Sequence, residues 1–265
     1  RGAAMDLMLD DKVALVCGAS QGLGLAIAQA LAAEGAAVAL LARNAAKLEA
    51  EAQAIRQGGG RAMAAPADLG DWDSVAGALA SVRREFGEPD ILVNNSGPPP
   101  PIDVTRVEPD LWRTQFEAMV LSLMRLTEAV LPAMRRRGFG RILTVASTSI
   151  VAPIPNLAIS NALRAALALW MKTLAGQVAA DGVTVNLVLP GSFATARLDS
   201  MNRMAAEAEG VSVEERTAQA TAAIPAGRYG EPAEFADMTA FLASPRAAYV
   251  TGTMVRIDGG NTDVL

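Results

Sequence analysis

Short apolar runs alternate along the chain with longer segments in which apolar residues recur every three or four positions. "KVALVCG" (12–18) is continuously apolar and closes on glycine, as a parallel strand buried on both faces should. "LGLAIAQALAAEG" (23–35) follows with helical periodicity and stops at Gly35. The alternation then repeats. "AAVALLAR" reads as a second strand, "NAAKLEAEAQAIRQGGG" as an exposed helix and "RAMAAPADL" as a third strand with its turn. "DWDSVAGALASVRREFG" is a helix with Asp71 placed to cap it. "DILVNNSG" is the fourth strand, and "PDLWRTQFEAMVLSLMRLTEAVLPAMRRRG" reads as one long helix. "GRILTVAS", "GVTVNLVLPG" and "TGTMVRIDGG" supply the fifth, sixth and seventh strands.

Strands and helices at this spacing predict an α/β fold: one Rossmann-type, doubly wound sheet of about seven parallel strands, with helices on both faces. No internal repeat or linker interrupts it, so residues 5–265 are expected to form a single dinucleotide-binding domain. Residues 193–228 read as its own helical lid, and "RGAA" (1–4) as a remnant ahead of the domain.

Composition narrows the chemistry. The chain is 51% hydrophobic but only 4% aromatic, so Ala, Leu and Val must fill the core. A net charge of −5 argues against nucleic acid as a partner. Cys17 is the only cysteine, which rules out a disulfide within the chain. There is no histidine, which excludes a Ser-His-Asp triad or a histidine-rich zinc site, and no metal site is expected. No apolar run is long enough to span a bilayer, and a cytoplasmic protein is expected.

"CGASQGLG" (17–24) joins the first strand to the first helix. Gly18, Gly22 and Gly24 allow a tight turn there and let a phosphate approach the backbone at a helix N-terminus. Ser20, Gln21 and Leu23 complete the loop. A dinucleotide lying across this fold puts its adenosine ribose at the end of the second strand. That strand ends in Arg43 and Asn44 rather than an acid, so NADP(H), with its 2′-phosphate, is favoured over NAD(H).

Ser160 and Arg164 stand four apart at the start of a helix, hence on one face. They are a catalytic pair, or an N-cap serine and an exposed arginine.

With these motifs in order, the chain resembles the short-chain dehydrogenase/reductase family, most of all its 3-oxoacyl-carrier-protein reductase-like members, from Lys12 to Gly260. "CGASQGLG" matches the family's T-G-x-x-x-G-x-G with Cys17 in the threonine place. "ADL", with Asp68 and Leu69, matches the adenine-holding segment. "NNSG", with Asn94, Ser96 and Gly97, matches N-N-A-G beside the cofactor. "PGSFAT", with Pro190, Gly191, Phe193 and Thr195, matches the loop beside the nicotinamide amide. "IDGG" matches the end of the last strand. The resemblance implies an Asn-Ser-Tyr-Lys tetrad, and only one of its four places is kept. Ser147 takes the serine place, Ser160 the tyrosine place, Arg164 the lysine place and Met119 the asparagine place. The two tyrosines, Tyr229 and Tyr249, lie elsewhere.

A serine is a far weaker acid than a tyrosine, and arginine stays charged instead of shuttling protons. Arg164 retains the ability to hold the cofactor ribose and polarise a carbonyl. Three readings stay open: an oxidoreductase with a modified Ser147, Ser160 and Arg164 site; a dinucleotide-binding sensor or assembly subunit without redox activity; or other chemistry at the same place. The expected substrate is a small to medium, partly apolar carbonyl compound. "GPPPPID" (97–103) forms one wall or a plain rigid connector, and Met201 and Met204 line the pocket or pack the lid onto its domain. By resemblance, the assembly is a homotetramer or homodimer.

Overall fold

A computed structural model describes residues 5–263; the stretch read as a remnant, 1–4, lies outside them. The sheet strands are β1 (Val13–Cys17), β2 (Ala37–Ala42), β3 (Arg61–Pro66), β4 (Ile91–Asn94), β5 (Gly140–Val145), β6 (Val183–Pro190) and β7 (Met254–Ile257). They are all parallel, in the order β3-β2-β1-β4-β5-β6-β7. The helices are α1 (Gly22–Ala33), α2 (Ala45–Gln57), α3 (Trp72–Glu85), α4 (Pro109–Phe116), α5 (Ser122–Arg137), α6 (Ala158–Val178), α7 (Ala196–Glu209), α8 (Val213–Ala222) and α9 (Pro232–Ala243). This is the seven-stranded, doubly wound architecture expected from the alternation of patterns.

Side chains on successive strand positions enter opposite layers. In β1, Leu15 and Cys17 join the core under α3, α5 and α6, with Leu79, Leu126 and Leu174. Ala14 and Val16 join the core under α1, α2 and α9, with Leu31, Leu48 and Phe235. Burying a leucine such as Leu15 completely contributes about 2 kcal/mol. The scarcity of aromatics is met by small residues: α1 packs on α9 through Ala28, Ala32, Ala236 and Ala240. Asp71 caps α3 as expected, accepting from the amides of Asp73 and Ser74. The strand order reverses between β1 and β4, which opens a cleft at the C-terminal strand ends.

Two expectations change. The long helix over 109–138 is not uniform: Glu117–Leu121 forms a π turn between α4 and α5, in which the Ser122 amide donates to the Glu117 carbonyl. Ser160 is not an N-cap either. Leu157 occupies that place, and Ser160 is the third residue of α6 and almost fully buried.

Candidate active site

The loop between β1 and α1 is shaped by its glycines. Gly18 has φ +63, and a Cβ there would lie 2.6 Å from Asn95 Nδ2. Gly24 is pressed against the Gly18 carbonyl, leaving no room for any side chain. Gly22, φ +58, instead faces the cleft, with Thr195 the nearest neighbour at 3.8 Å from an added Cβ. Gln21 precedes α1 without a side-chain cap, so the first amides of this helix are open to an anion. Ser20 and Leu23 are half-buried within the loop.

The loop is buttressed by Asn95, whose amide donates to the Cys17 carbonyl at 3.2 Å. The expectation from the sequence falls on Asn94, whereas Asn95 is the asparagine that supports the loop. Asn94 is fully buried, and its amide donates to Thr127 Oγ1 in α5 at 3.0 Å, so its side chain faces away from the cleft. Ser96 is buried and Gly97 exposed just beyond. Cys17, in the threonine place, is a core side chain, with its thiol pushed up to about 12 by burial.

At the end of β2, Arg43 is exposed and makes no hydrogen bond or ion pair among the described residues. Asn44 caps α2 by accepting from the Lys47 amide. Lys47 reaches back to donate to Gln21 Oε1 at 2.8 Å, which places a second cation between the glycine loop and Arg43. Lys47 stands four residues after Arg43 in the first turn of α2, a spacing visible in the sequence. Asp68 is exposed and turns the chain by accepting from the Gly70 amide, with Leu69 half-buried beside it.

Beyond β6, Pro190 and Gly191 run against β7, where the Gly191 amide donates to the Ile257 carbonyl. Phe193 turns its side chain inward, packing edge-on against Phe235 with ring centroids 5.3 Å apart. Its side chain is therefore a core anchor. Thr195 caps α7. Met201 and Met204 are both exposed on α7, so neither packs the helix onto the domain.

Arg164 stands at the centre. Its Nη1 donates to the Val145 carbonyl at 2.9 Å and its Nε to Ser160 Oγ at 3.3 Å. These bonds bring the guanidinium to the C-terminal end of β5, two residues before Ser147. Ser147 Oγ accepts from the Ser149 amide, which leaves its own proton free to donate. Ser160 and Arg164 are thus joined, and Ser147 follows two residues after Val145, the carbonyl to which Arg164 donates. Burial, and then the charge of Arg197, lower the Arg164 pKa to about 10, so it stays cationic at neutral pH. Arg197 was not foreseen. Met119 is buried against Ile159 and Leu163 and presents no polar group.

Neither tyrosine substitutes for the missing acid. Tyr229 exchanges hydrogen bonds with Asn202 on α7 and braces the segment after β6, while Tyr249 is fully exposed. The proline-rich loop is clasped to the start of α6: the Ile102 amide donates to the Asn156 carbonyl at 2.8 Å, with Asn156 held at φ +59. Among the described residues, no helix is long and apolar enough to cross a membrane and no cluster of side chains fits a metal ion.

Comparison with known proteins follows the same outline. Residues 18–262 match the family model described as enoyl-(acyl carrier protein) reductase. The chain is 38% identical over 254 residues to the 3-oxoacyl-(acyl-carrier-protein) reductase FabG of Escherichia coli (strain K12), covering 95% of this chain and 97% of the other. It is 36% identical over 253 residues to the short-chain reductase protein NovJ of Streptomyces niveus, covering 94% of each. Among solved structures, the L-sorbose reductase of Gluconobacter frateurii complexed with NADPH and L-sorbose superposes with a TM-score of 0.94 at 33% identity, over 98% of this chain and 100% of the other. An actinorhodin polyketide ketoreductase variant with NADPH gives 0.91 at 34% identity, over 97% and 99%.

Proposed function

Because the chain belongs to the short-chain dehydrogenase/reductase family, and is an NADP(H)-dependent oxidoreductase of carbonyl and alcohol groups, we propose that it works on a small to medium, partly apolar substrate through a Ser/Arg site in place of tyrosine and lysine. The observation that supports this reading is the bond from Arg164 to the Val145 carbonyl, which holds the guanidinium at the C-terminal end of β5, two residues before Ser147.

The residues fit the dinucleotide. Gly18, Gly22 and Gly24 with the open α1 N-terminus would receive the diphosphate, Arg43 and Lys47 the 2′-phosphate, and Asp68 and Leu69 would border the adenine. The backbone from Pro190 to Thr195 would hold the nicotinamide amide. When bound, the nicotinamide supplies or accepts the hydride. The protein's part is to hold the substrate oxygen. Ser147 donates its free O–H to that oxygen, and Arg164 adds the Nη2 protons that its two internal bonds leave free. Ser160 keeps the guanidinium in plane by accepting from Nε. A fixed cation aimed at a developing alkoxide acts where charge appears, and losing such a donor costs about 10²–10³ in rate. With no side chain at the site titrating near neutrality, the proton travels between water and the substrate oxygen. Helices α7 and α8, braced by Tyr229 and Asn202, serve as the lid. The assembly proposed is a homodimer or homotetramer paired through the outward face of α6, where Leu169 is 68% exposed.

A stopped-flow screen of NADPH oxidation across carbonyl compounds tests the reading, run on wild type, Arg164→Ala and the double variant Ser160→Tyr with Arg164→Lys. Turnover by wild type that collapses in Arg164→Ala supports it. Turnover by the double variant alone, with NADPH bound equally by all three, would identify an inactive dinucleotide-binding subunit instead.

A further inference from the structure

Ser160 and Arg164 stand where the start of α6 puts them, and that start is not fixed by the usual means. Leu157, at the N-cap position, has no side-chain cap, and the first turn carries no acid. Pro153 and Pro155, in the connection from β5, have no amide to donate. Among the described residues, one hydrogen bond ties residues 152–157 to a segment beyond their own loop and α6: the Ile102 amide donates to the Asn156 carbonyl at 2.8 Å. Pro98 to Pro101 offer no N–H either, so Ile102 supplies the first amide after Gly97, and it is spent here. A parallel bridge pairs Ile102 with Leu157. Asn156 sits at φ +59, a setting that asparagine accepts and a β-branched residue does not. From α6, Asn161 closes the same turn by donating its side-chain amide to the Ile154 carbonyl at 2.9 Å. The Ile102 side chain packs against the cluster that contains Ile159 and Leu163, the residues immediately before Ser160 and Arg164.

We propose that Ile102 and Asn156 are positioning residues for the reaction: their clasp fixes where α6 begins, and so sets the reach of the Arg164 guanidinium to the Val145 carbonyl and to Ser160 Oγ. The clasp joins the loop that leaves β4 to the helix that follows β5, so one backbone bond ties two neighbouring strand ends of the cleft. Its effect on turnover rests on the Ser/Arg reading above, but the placement of Arg164 is tested without turnover.

Phenylglyoxal modifies arginine side chains, and its rate of reaction with Arg164 in the full chain without nucleotide, followed by peptide mass spectrometry, gives the direct test. Ile102→Pro removes the amide, and Asn156→Val opposes the positive φ. Each should raise the Arg164 rate about 3- to 10-fold, the worth of one lost hydrogen bond. Arg113, exposed on α4, should react as in wild type. Ile102→Val keeps the amide and Asn156→Gly keeps the turn, so both should return the wild-type rate. In steady-state kinetics with the carbonyl compound that wild type reduces fastest, kcat should fall in Ile102→Pro and Asn156→Val and recover in Ile102→Val and Asn156→Gly. NADPH affinity, read by fluorescence titration, should hold throughout. Unchanged Arg164 labelling in both disrupting variants overturns the proposal, as does a rise shared by every arginine, which would report a loosened fold. Faster Arg164 labelling with unchanged kcat overturns it too, since the clasp would then be structural only. Absence of turnover by wild type with any carbonyl compound, beside the expected labelling pattern, would sink the Ser/Arg reading and leave the clasp as what places Arg164.

Discussion

Replacing Arg164 by methionine should leave the fold nearly as stable as before while removing most of the activity. The arithmetic comes from its surroundings. Holding the guanidinium charged in the cleft lowers its pKa from 12.5 to about 10, which corresponds to a penalty of roughly 3 kcal/mol, trimmed toward about 2 by the solvent that reaches it. The penalty is complete at neutral pH, below both values, and shrinks only as pH rises above about 10. Against it stand the bond to Val145 O, worth about 2 kcal/mol with a charged donor, and the longer one to Ser160, about 0.5 kcal/mol. Methionine loses both bonds and the penalty together, for a net change within about 1 kcal/mol, or about 3 °C in Tm for a chain of this size. kcat/KM should fall about 10²–10³-fold. Arg141 is the control. It too is held at about 10 by burial, but it donates to the carbonyls of Ser244, Gly140 and Gly182 and covers the Phe139 ring. Three charged-donor bonds outweigh its penalty, so Arg141→Met should cost about 3 kcal/mol. Differential scanning calorimetry beside steady-state kinetics decides. If Arg164→Met melts as early as Arg141→Met and retains its kcat/KM, Arg164 is a structural cation and the reasoning is refuted.

With no group at the site titrating near neutrality, kcat/KM measured against pH should be flat from about pH 7 to 9 and decline as Arg164 discharges toward pH about 10; an inflection inside the flat window would reveal an acid not accounted for. Arg43→Ala should weaken NADPH about tenfold or more and NADH by less than about threefold, read by fluorescence titration, because only NADPH offers the 2′-phosphate. Asn95→Ala leaves the Cys17 carbonyl without its partner and the glycines without their buttress. It should cost about 1–2 kcal/mol in urea unfolding and loosen NADPH as well. Restoring the family's asparagine with Met119→Asn should lower Tm by about 4–8 °C, since the pocket formed by Ile159 and Leu163 offers that amide nothing but apolar walls; an unchanged Tm would show that water reaches the turn.

The sheet was legible because its inner strands are buried on both faces and so write long apolar runs; the two edge strands, β3 and β7, are only partly buried and write weaker ones. Boundaries were legible where a side chain sets them, as Asp71 does. The π turn was not, because five residues of "EAMVL" fit either helical period equally well. Of the paired asparagines, alternation along a strand sends one toward α5 and the other toward the glycine loop. Nothing in the doublet itself says which goes where. Ser160 and Arg164 were found because four residues of helix bring them together, a local relation. The bond from Arg164 to Val145 joins a helix to a strand end, and only the fold reveals it.

The π turn at Glu117–Leu121 fixes a phase. It amounts to one residue more than an α-helix would use, so α4 is rotated by about 100° relative to a continuous helix. Leu111 and Trp112 reach Ile159 and Leu163 only in that rotated setting, and Ile102 packs with them. Deleting a single residue such as Ala118 would let the ladder close into ordinary α-helix. Everything ahead of it would then be advanced by one gear-tooth, carrying the proline-rich loop off the start of α6. In this protein the seating of α4 against the start of α6 is set by a count of residues along the chain between them, not by any one side chain.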